Sequence, residues 1–85
     1  MPYIKKTDRD VVDSRIDSLS SKLDGSAGQL NYVITKLVMA LWKDTPKYTT
    51  VAMVTGALEN VKQEFYRRVA TPYEDAKIAE NGDVY

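Results

Sequence analysis

The stretch LNYVITKLVMALW, residues 30–42, decides the fold because it is the longest strongly apolar run in the chain. At about 100° per residue, its apolar side chains fall on one arc that is roughly 160° wide. The members of this arc are Leu30, Val33, Ile34, Leu37, Val38, Ala40 and Leu41. A surface helix needs an apolar stripe of only about 100°. We therefore predict a central helix that contacts two neighbours or a second subunit.

Two side chains of this stretch, Met39 and Trp42, lie beyond the edge of the apolar arc, beside Asn31 and Thr35. One explanation is that the helix is simply the centre of a monomeric bundle, with neighbouring helices on both sides. The other is that Met39 and Trp42 are buried between subunits. The sequence leaves both alternatives open, and Met39 and Trp42 are the predicted interface residues of a homo-oligomer.

The bulk properties limit the classes of protein to consider. Eighty-five residues predict one helical domain, residues 1–85, which buries only about two-thirds of its unfolded surface. Twelve basic and twelve acidic residues give a net charge of zero, which argues against a general affinity for nucleic acid. The absence of cysteine and histidine predicts no metal site and no cofactor. Without a signal segment or an apolar run of about 18 residues, we expect a soluble, cytoplasmic protein with no membrane partner.

Apolar spacing predicts a small all-α bundle of three main helices, at about residues 13–24, 28–43 and 49–70. In the first helix, Ile16, Leu19 and Leu23 recur at intervals of three and four, and we expect this helix to cover one side of the central helix. Glycines and serine in the loop 24–28 end the first helix, with Gly25 as its C-terminal glycine. The third helix carries a stripe of Val51, Val54, Leu58, Val61, Phe65 and Val69.

Helix ends are predicted from proline, threonine and glycine. Asp44-Thr45-Pro46 ends the central helix, and Thr49 is a fair cap for the third. Thr71-Pro72-Tyr73-Glu74 has the form of a capping box with proline at the first helical position, which predicts a short helix at about 72–80 after a kink or a short break. Asn81-Gly82 ends that helix. The two chain ends are predicted to be extended arms that either pair with each other or dock on the bundle.

The densest polar patch joins the end of the third helix to the short helix. Its members are Tyr66, Arg67, Arg68, Tyr73, Glu74 and Lys77, and all of them except Glu74 are candidate site residues. Arginines hold phosphate and tyrosines stack on bases, so this patch is the predicted ligand-binding or partner-binding site. The alternative is structural: Arg68 pairs with Glu64 one turn away, and the tyrosines cover the tail with their hydroxyls in water.

No residue pattern predicts catalysis. Asp8, Asp10, Asp13 and Asp17 are dense, but they lack the spacing, glycine and glutamate of a calcium loop, and solvated helix starts explain them. No nucleophile elbow, phosphate loop or dinucleotide fingerprint occurs. We therefore expect a protein that is not an enzyme.

Five segments carry a resemblance that covers nearly the whole chain: MPYIK at 1–5, LNYVIT at 30–35, YRRV at 66–69, PYED at 72–75 and ENGDVY at 80–85. Together they resemble a family of small proteins found in tailed-phage and prophage genomes. Members of this family have no established function, so the resemblance assigns no role to any residue. It implies a phage origin and a role inside the infected cell.

Two functions follow as hypotheses. The first is a small phage-type binding protein that acts on a host protein as an inhibitor or accessory factor. The second is an oligomeric sponge that sequesters a nucleotide signal of host antiviral defence. In both, the chain self-associates and presents the polar patch to its partner.

Overall fold

A computed structural model describes residues 3–85 of the chain. These residues form the helices α1 (Lys6–Ser20), α2 (Ala27–Asp44), α3 (Tyr48–Phe65) and α4 (Thr71–Asn81). A π-helical turn, Tyr66–Ala70, connects α3 to α4. No strand occurs in the described part of the chain. The predicted all-α class is therefore confirmed, and so is the order of three main helices followed by a short one.

The described residues divide into two compact units, 3–51 and 52–85, with the boundary inside α3. The first unit holds α1, α2 and the start of α3. The second holds the rest of α3, the π-helical turn and α4. The assignment of residues 1–85 to one domain stays a prediction.

Helix α1 begins seven residues before its predicted start and ends four residues before its predicted end. Its first turn forms on an extended Lys5, whose carbonyl accepts the N–H groups of Asp8 at 2.9 Å and Arg9 at 3.0 Å. Asp13 therefore lies inside the helix instead of starting it. The sequence misplaced this start because backbone hydrogen bonds begin the helix without a side-chain cap.

The turn before α2 is built by reciprocal hydrogen bonds. Ser26 is the N-cap, and its Oγ accepts the Gln29 N–H at 3.2 Å. The Gln29 Oε1 accepts the Asp24 N–H at 2.6 Å, and the Asp24 Oδ1 accepts the Ser26 N–H at 2.8 Å. Gly25 has φ 79°, which favours glycine, but it serves this turn because α1 has already ended at Ser20. Its prediction as a helix C-terminal glycine was wrong, whereas the predicted start of α2 was right to within one residue.

Helix α2 ends at Asp44, within one residue of the prediction, and the Thr45 N–H donates to the Leu41 carbonyl at 3.1 Å. Helix α3 begins at Tyr48, so Thr49 is inside the helix and is not its cap. Thr50 holds the connection instead, because its hydroxyl donates to the Thr45 carbonyl at 2.6 Å. At 6% exposure, Thr50 is the one fully buried side chain among residues 3–85.

Apolar side chains remain exposed in both units. In the first unit, α1 and α2 do not pack on each other, so α1 does not cover α2 as the sequence predicted. Leu30 is 53% exposed and Leu37 is 61% exposed, although both lie on the predicted apolar arc. In the second unit, Val61 and Phe65 are exposed to a similar degree. No large apolar side chain is fully buried in the described part of the chain.

The junction between α3 and α4 is a π-helical turn, and α4 begins at Thr71, within one residue of the predicted start, although the predicted capping box does not form. Both Ala70 and Thr71 have right-handed helical backbone angles, and the N-cap position makes no side-chain hydrogen bond. The π-helical turn packs against α4 and carries the chain into it. At the other end, Gly82 with φ 88° terminates α4, and its N–H donates to the Ile78 carbonyl at 2.8 Å. This predicted end is right to within one residue.

The predicted terminal arms are described only in part. Residues 83–85 follow α4 without helix or strand. Met1 and Pro2, which begin the other arm, lie outside the described residues, so a pairing of the two arms stays a prediction.

Candidate partner-binding surface

The five candidate residues of the predicted patch occupy two consecutive elements. Tyr66, Arg67 and Arg68 lie in the π-helical turn, and Tyr73 and Lys77 lie on α4. A π-helical turn advances by about 82° per residue instead of about 100°, because its hydrogen bonds span five residues. Over five residues this lag is roughly 90°, which equals nearly one residue of an α-helix. The turn therefore changes which side chains of α4 face those of α3.

Tyr66 shows the effect of this rotation. Its Oη donates to the Glu74 Oε1 at 3.1 Å, eight residues along the chain. In an uninterrupted α-helix, residues eight apart differ by about 80° in direction, which would separate the two side chains. The π-helical turn aligns them. Glu74 raises the pKa of the Tyr66 phenol above its ordinary value. The hydrogen bond is the larger cause, and the negative charge of Glu74 is the smaller one.

Both arginines of the patch converge on Glu64 of α3. The Arg68 Nε donates to the Glu64 Oε2 at 2.9 Å, and the Arg67 Nη2 donates to the same oxygen at 3.1 Å. These hydrogen bonds lower the pKa of Glu64, and the bond from Arg68 contributes more than the bond from Arg67. The predicted pairing of Arg68 with Glu64 is confirmed, and the structure adds Arg67 to it. Each guanidinium thus already has a carboxylate partner.

Lys77 is held between an aromatic ring and a carboxylate. Its Nζ lies 5.6 Å from the centroid of the Tyr73 ring, within the range of a cation–π contact. It also lies 3.5 Å from the Glu80 Oε2, one turn further along α4. The Tyr73 ring stays 64% exposed. This pair therefore presents an aromatic face and a positive charge side by side to the solvent.

Two open grooves border Tyr66 in the second unit. One has a volume of about 480 Å³ and runs between Tyr66, Glu74 and Ile78 on one side and residues 81–85 on the other. The other has a volume of about 450 Å³ and is lined by Lys62, Gln63, Glu64, Tyr66, Arg67 and Thr71. Lys77 lines the first groove and Arg67 the second. Tyr66 is the residue that the two grooves share.

The structure thus brings the predicted residues into three pairs of neighbours, and Arg68 shares Glu64 with Arg67. Tyr66 and Lys77 line one groove, Tyr66 and Arg67 line the other, and Tyr73 lies against Lys77. Arg68 is turned back to Glu64. Sequence reasoning missed the role of Glu74, which it assigned to a cap, and of Glu80. The spacing of three residues between Lys77 and Glu80 could have predicted their ion pair, because residues three apart are neighbours on a helix.

The predicted oligomer residues Met39 and Trp42 lie near the end of α2. Met39 is 40% exposed and Trp42 is 37% exposed. The neighbouring Thr35 hydroxyl donates to the Asn31 carbonyl at 2.8 Å, so it is occupied within its own helix. The exposure of Met39 and Trp42 leaves them available for contact, and their place in an interface stays a prediction.

No group of three or more carboxylates in residues 3–85 is arranged to hold a metal ion. None of the helices described here is both long enough and apolar enough to cross a membrane.

Comparison with known proteins gives one result. The chain belongs to the family described as "Domain of unknown function (DUF6899)", whose family model matches residues 1–84. This result agrees with the sequence analysis, in which the chain resembles a family without an established function. No match to the chain was found among curated proteins or among solved structures.

Proposed function

We propose that this chain is a binding protein that works as a homo-oligomer and acts on another protein without chemical turnover. The observation that carries this proposal is the exposure of its apolar side chains. Helices α2 and α3 carry apolar side chains at helical spacing, and no large one is fully buried in residues 3–85. Exposed apolar patches of this extent are typical of interaction sites.

The partner-facing surface in this proposal is the patch of Tyr66, Arg67, Arg68, Tyr73 and Lys77. Tyrosine and arginine are the side chains most enriched at the energetic centres of protein interfaces. The exposed Tyr73 ring beside Lys77 is suited to a partner that offers an apolar contact next to a carboxylate. The Tyr66 phenol and the Arg67 guanidinium border grooves that a protruding side chain can enter.

The resemblance to phage and prophage proteins supports a host-cell protein as the partner, met in the host cytoplasm. An inhibitor or accessory factor of this kind needs a surface and no catalytic group. The proposal therefore includes the phage origin and the role inside the infected cell.

The alternative of a nucleotide sponge receives support from the groove beside Lys62 and Arg67, whose volume suits a small ligand. The contacts of Glu64 weigh against it. A phosphate bound there lies beside the negatively charged Glu64, which already pairs with both arginines and offsets part of their charge. We therefore place a protein partner ahead of a nucleotide.

The first experiment separates these alternatives by thermal shift. The purified full-length chain is heated with a panel of cyclic and linear nucleotides at concentrations well above micromolar. We expect no rise in melting temperature, because only a ligand that binds the folded state stabilises it. A rise of several degrees with one nucleotide would replace the protein partner by the sponge. Consumption of any nucleotide in the panel would overturn the assignment as a non-enzyme.

The second experiment tests the surface. A photo-crosslinking residue replaces Tyr73 in the full-length chain inside the host cell, and a matched one replaces Tyr32 on α2. A host protein that is crosslinked from position 73 but not from position 32 is then purified. Its affinity is measured for the wild-type chain and for the double variant Arg67→Ala/Arg68→Ala. We expect binding at least about tenfold weaker in the double variant. The control Lys43→Ala/Lys47→Ala removes the same charge elsewhere and should bind as the wild type does. Equal affinity of all three chains would show that the partner uses another face.

A further inference from the structure

The groove of about 480 Å³ beside Tyr66 forms where the chain turns back after α4. Gly82, with φ 88°, ends the helix and lets the chain change direction. The Asp83 Oδ1 then accepts the Tyr85 N–H at 2.9 Å, a local hydrogen bond of the kind found in Asx turns. Residues 81–85 form one wall of the groove, and α4 with Tyr66 forms the other. We call this groove the tail groove.

The α4 wall of the tail groove combines apolar surface with an aromatic side chain. Glu74, Ile78 and Asn81 follow one another at intervals of four and three residues, so they share one face of α4. Ile78 is 43% exposed and Tyr66 is 52% exposed. A side chain that enters the tail groove therefore contacts an apolar surface and an aromatic ring as well as the carboxylate of Glu74.

Two carboxylates border the tail groove, one on each wall. Glu74 uses its Oε1 to accept the Tyr66 hydroxyl at 3.1 Å, and Asp83 uses its Oδ1 for the Tyr85 N–H. Neither the Glu74 Oε2 nor the Asp83 Oδ2 takes part in a hydrogen bond within the part of the chain that the structure describes. Each carboxylate therefore keeps one oxygen that can accept a hydrogen bond from a ligand.

Lys77 is the one positively charged residue that lines the tail groove, and its charge is already partnered. Its Nζ lies 3.5 Å from the Glu80 Oε2 and 5.6 Å from the centroid of the Tyr73 ring. At about 100° per residue, both of these partners lie on the far side of Lys77 from Glu74 around the axis of α4. Because Glu80 offsets the charge of Lys77, the two groove carboxylates give the tail groove a negative character.

We propose that the tail groove takes a basic side chain of the partner protein, an arginine. A guanidinium has five N–H donors in a planar fork, which suits acceptors on two opposite walls, and it stacks on aromatic faces such as that of Tyr66. Its methylene stem suits the apolar surface of Ile78. This inference rests on the proposed function, and it identifies the side chain that the partner inserts beside Tyr66.

The test uses the purified full-length chain and N-acetyl-arginine amide, which carries the proposed side chain between two neutral ends. It is titrated to about 50 mM, because a single exposed ion pair is weak. The methyl resonances of Ile78 and the ring resonances of Tyr66 are followed by NMR. We expect saturable shifts at both residues. N-acetyl-citrulline amide, which has a similar shape without the positive charge, should produce no saturable shift.

Conservative variants test the two carboxylates separately. Asp83→Asn keeps an oxygen that accepts the Tyr85 N–H but removes the negative charge, and Glu74→Gln likewise leaves an acceptor for the Tyr66 hydroxyl. Each variant should weaken binding of the arginine amide by at least about threefold. Asp75→Asn is the matched control, because Asp75 lies about 100° from Glu74 around α4 and does not line the groove. It should bind the arginine amide as the wild type does.

Three results would overturn the inference. They are the absence of a saturable shift with the arginine amide, equal shifts with the citrulline amide, and an equal loss of affinity in Asp83→Asn and Asp75→Asn. A parallel titration uses N-acetyl-glutamate amide. Saturable binding of that molecule at Ile78 would assign an acidic side chain to the tail groove in place of the arginine.

Failure of this inference can be distinguished from failure of the proposed function. If the arginine amide does not bind while the captured host protein still loses affinity in Arg67→Ala/Arg68→Ala, the inference about the tail groove is wrong and the partner surface stands. If the arginine amide binds but no host protein is captured from position 73, the chemistry of the tail groove stands and the proposed function is wrong.

Discussion

Tyr66 and Glu74 are joined by a hydrogen bond of 3.1 Å across eight residues of continuous helical chain. The π-helical turn between Tyr66 and Ala70 makes this bond possible, because it rotates α4 by nearly one residue relative to α3. The same bond fixes one wall of the groove in front of residues 81–85. The π-helical turn is thus the feature that arranges the candidate surface.

The first prediction concerns the pKa of Tyr66. Replacing Glu74 by Gln weakens the hydrogen bond that contributes most to raising this pKa and removes the negative charge that adds to it, so the pKa should fall toward its ordinary value of 10.0. The measurement is a near-ultraviolet absorbance titration, with Tyr66→Phe subtracted to isolate one phenol among six tyrosines. Glu80→Gln is the control and should leave the titration of Tyr66 unchanged.

The raised pKa of Tyr66 also sets the sign of a stability effect. The contribution of the Tyr66–Glu74 bond is fully present below pH 10.0 and is lost as the pH rises through the higher pKa of the folded state. Amide exchange in α4 should therefore accelerate in this alkaline range in the wild type. The acceleration should be smaller in Tyr66→Phe, and an identical pH dependence in both chains would contradict the prediction.

The second prediction removes the π-helical turn. Deleting Ala70 shortens the chain by one residue and allows an uninterrupted α-helix from α3 into α4. In the shortened chain Tyr66 and Glu74 are seven residues apart, which in an α-helix leaves their directions only about 20° apart, so their hydrogen bond should persist. Total helicity by circular dichroism should stay close to that of the wild type, and the pKa of Tyr66 should stay raised. A Tyr66 pKa that falls to its ordinary range would show that the π-helical turn does not simply absorb one residue between the pair.

The third prediction concerns acid pH. Hydrogen bonds from Arg68 and Arg67 lower the pKa of Glu64 below its ordinary value of 4.5. The contribution of this carboxylate is therefore present above pH 4.5 and is lost as the pH falls through the lower pKa of the folded state. Carboxyl chemical shifts should show Glu64 titrating below its ordinary value of 4.5. Arg67→Ala/Arg68→Ala should move its pKa upward, whereas Lys77→Ala should not.

The fourth prediction tests the connection between α2 and α3. Thr50→Val keeps the shape of the buried side chain but removes the hydroxyl that donates to the Thr45 carbonyl. The loss should destabilise the chain by about 1 kcal/mol, since the carbonyl keeps its second partner, the Lys47 N–H. Urea unfolding followed by circular dichroism measures this free energy. Thr50→Ser retains the hydroxyl and should unfold at higher urea concentration than Thr50→Val.

The fifth prediction concerns the edge of α2. Trp42→Ala combined with Met39→Ala should weaken self-association by about tenfold or more, because both apolar side chains are available for contact. Sedimentation across a dilution series gives the dissociation constant. The control is Tyr48→Ala, an aromatic residue that is 82% exposed in the same unit. An unchanged dissociation constant in the double variant would remove Met39 and Trp42 from the interface.

Much of the secondary structure could be predicted from the sequence because it depends on local signals. Pro46 and Gly82 mark helix ends, and both ends lie within one residue of the prediction. The Arg68–Glu64 pair follows from a spacing of four residues. The start of α1 could not be predicted in this way, because the carbonyl of Lys5 begins it and no capping side chain marks the place.

The capping box at Thr71 shows where local signals fail. Thr71 and Glu74 have the residue types and the spacing of a helix start, but the backbone before them stays helical. A helix start requires free N–H groups, and the Thr71 N–H is already bonded to the Tyr66 carbonyl five residues earlier. Glu74 then accepts the Tyr66 hydroxyl instead of a backbone N–H. The same residues are compatible with a capped helix start and with a continuous helical chain. The hydrogen bonds of the preceding π-helical turn favour the continuous chain.

The sequence by itself determined that the chain is helical, where most helices end, and which residues carry its charge and its tyrosines. These follow from the periodicity and the chemistry of neighbouring residues. The tertiary structure alone decided that Arg67 and Arg68 share Glu64 and that Tyr66 reaches Glu74. These depend on the direction of each side chain around its helix, and one π-helical turn changes that direction by nearly one residue without leaving a mark in the sequence.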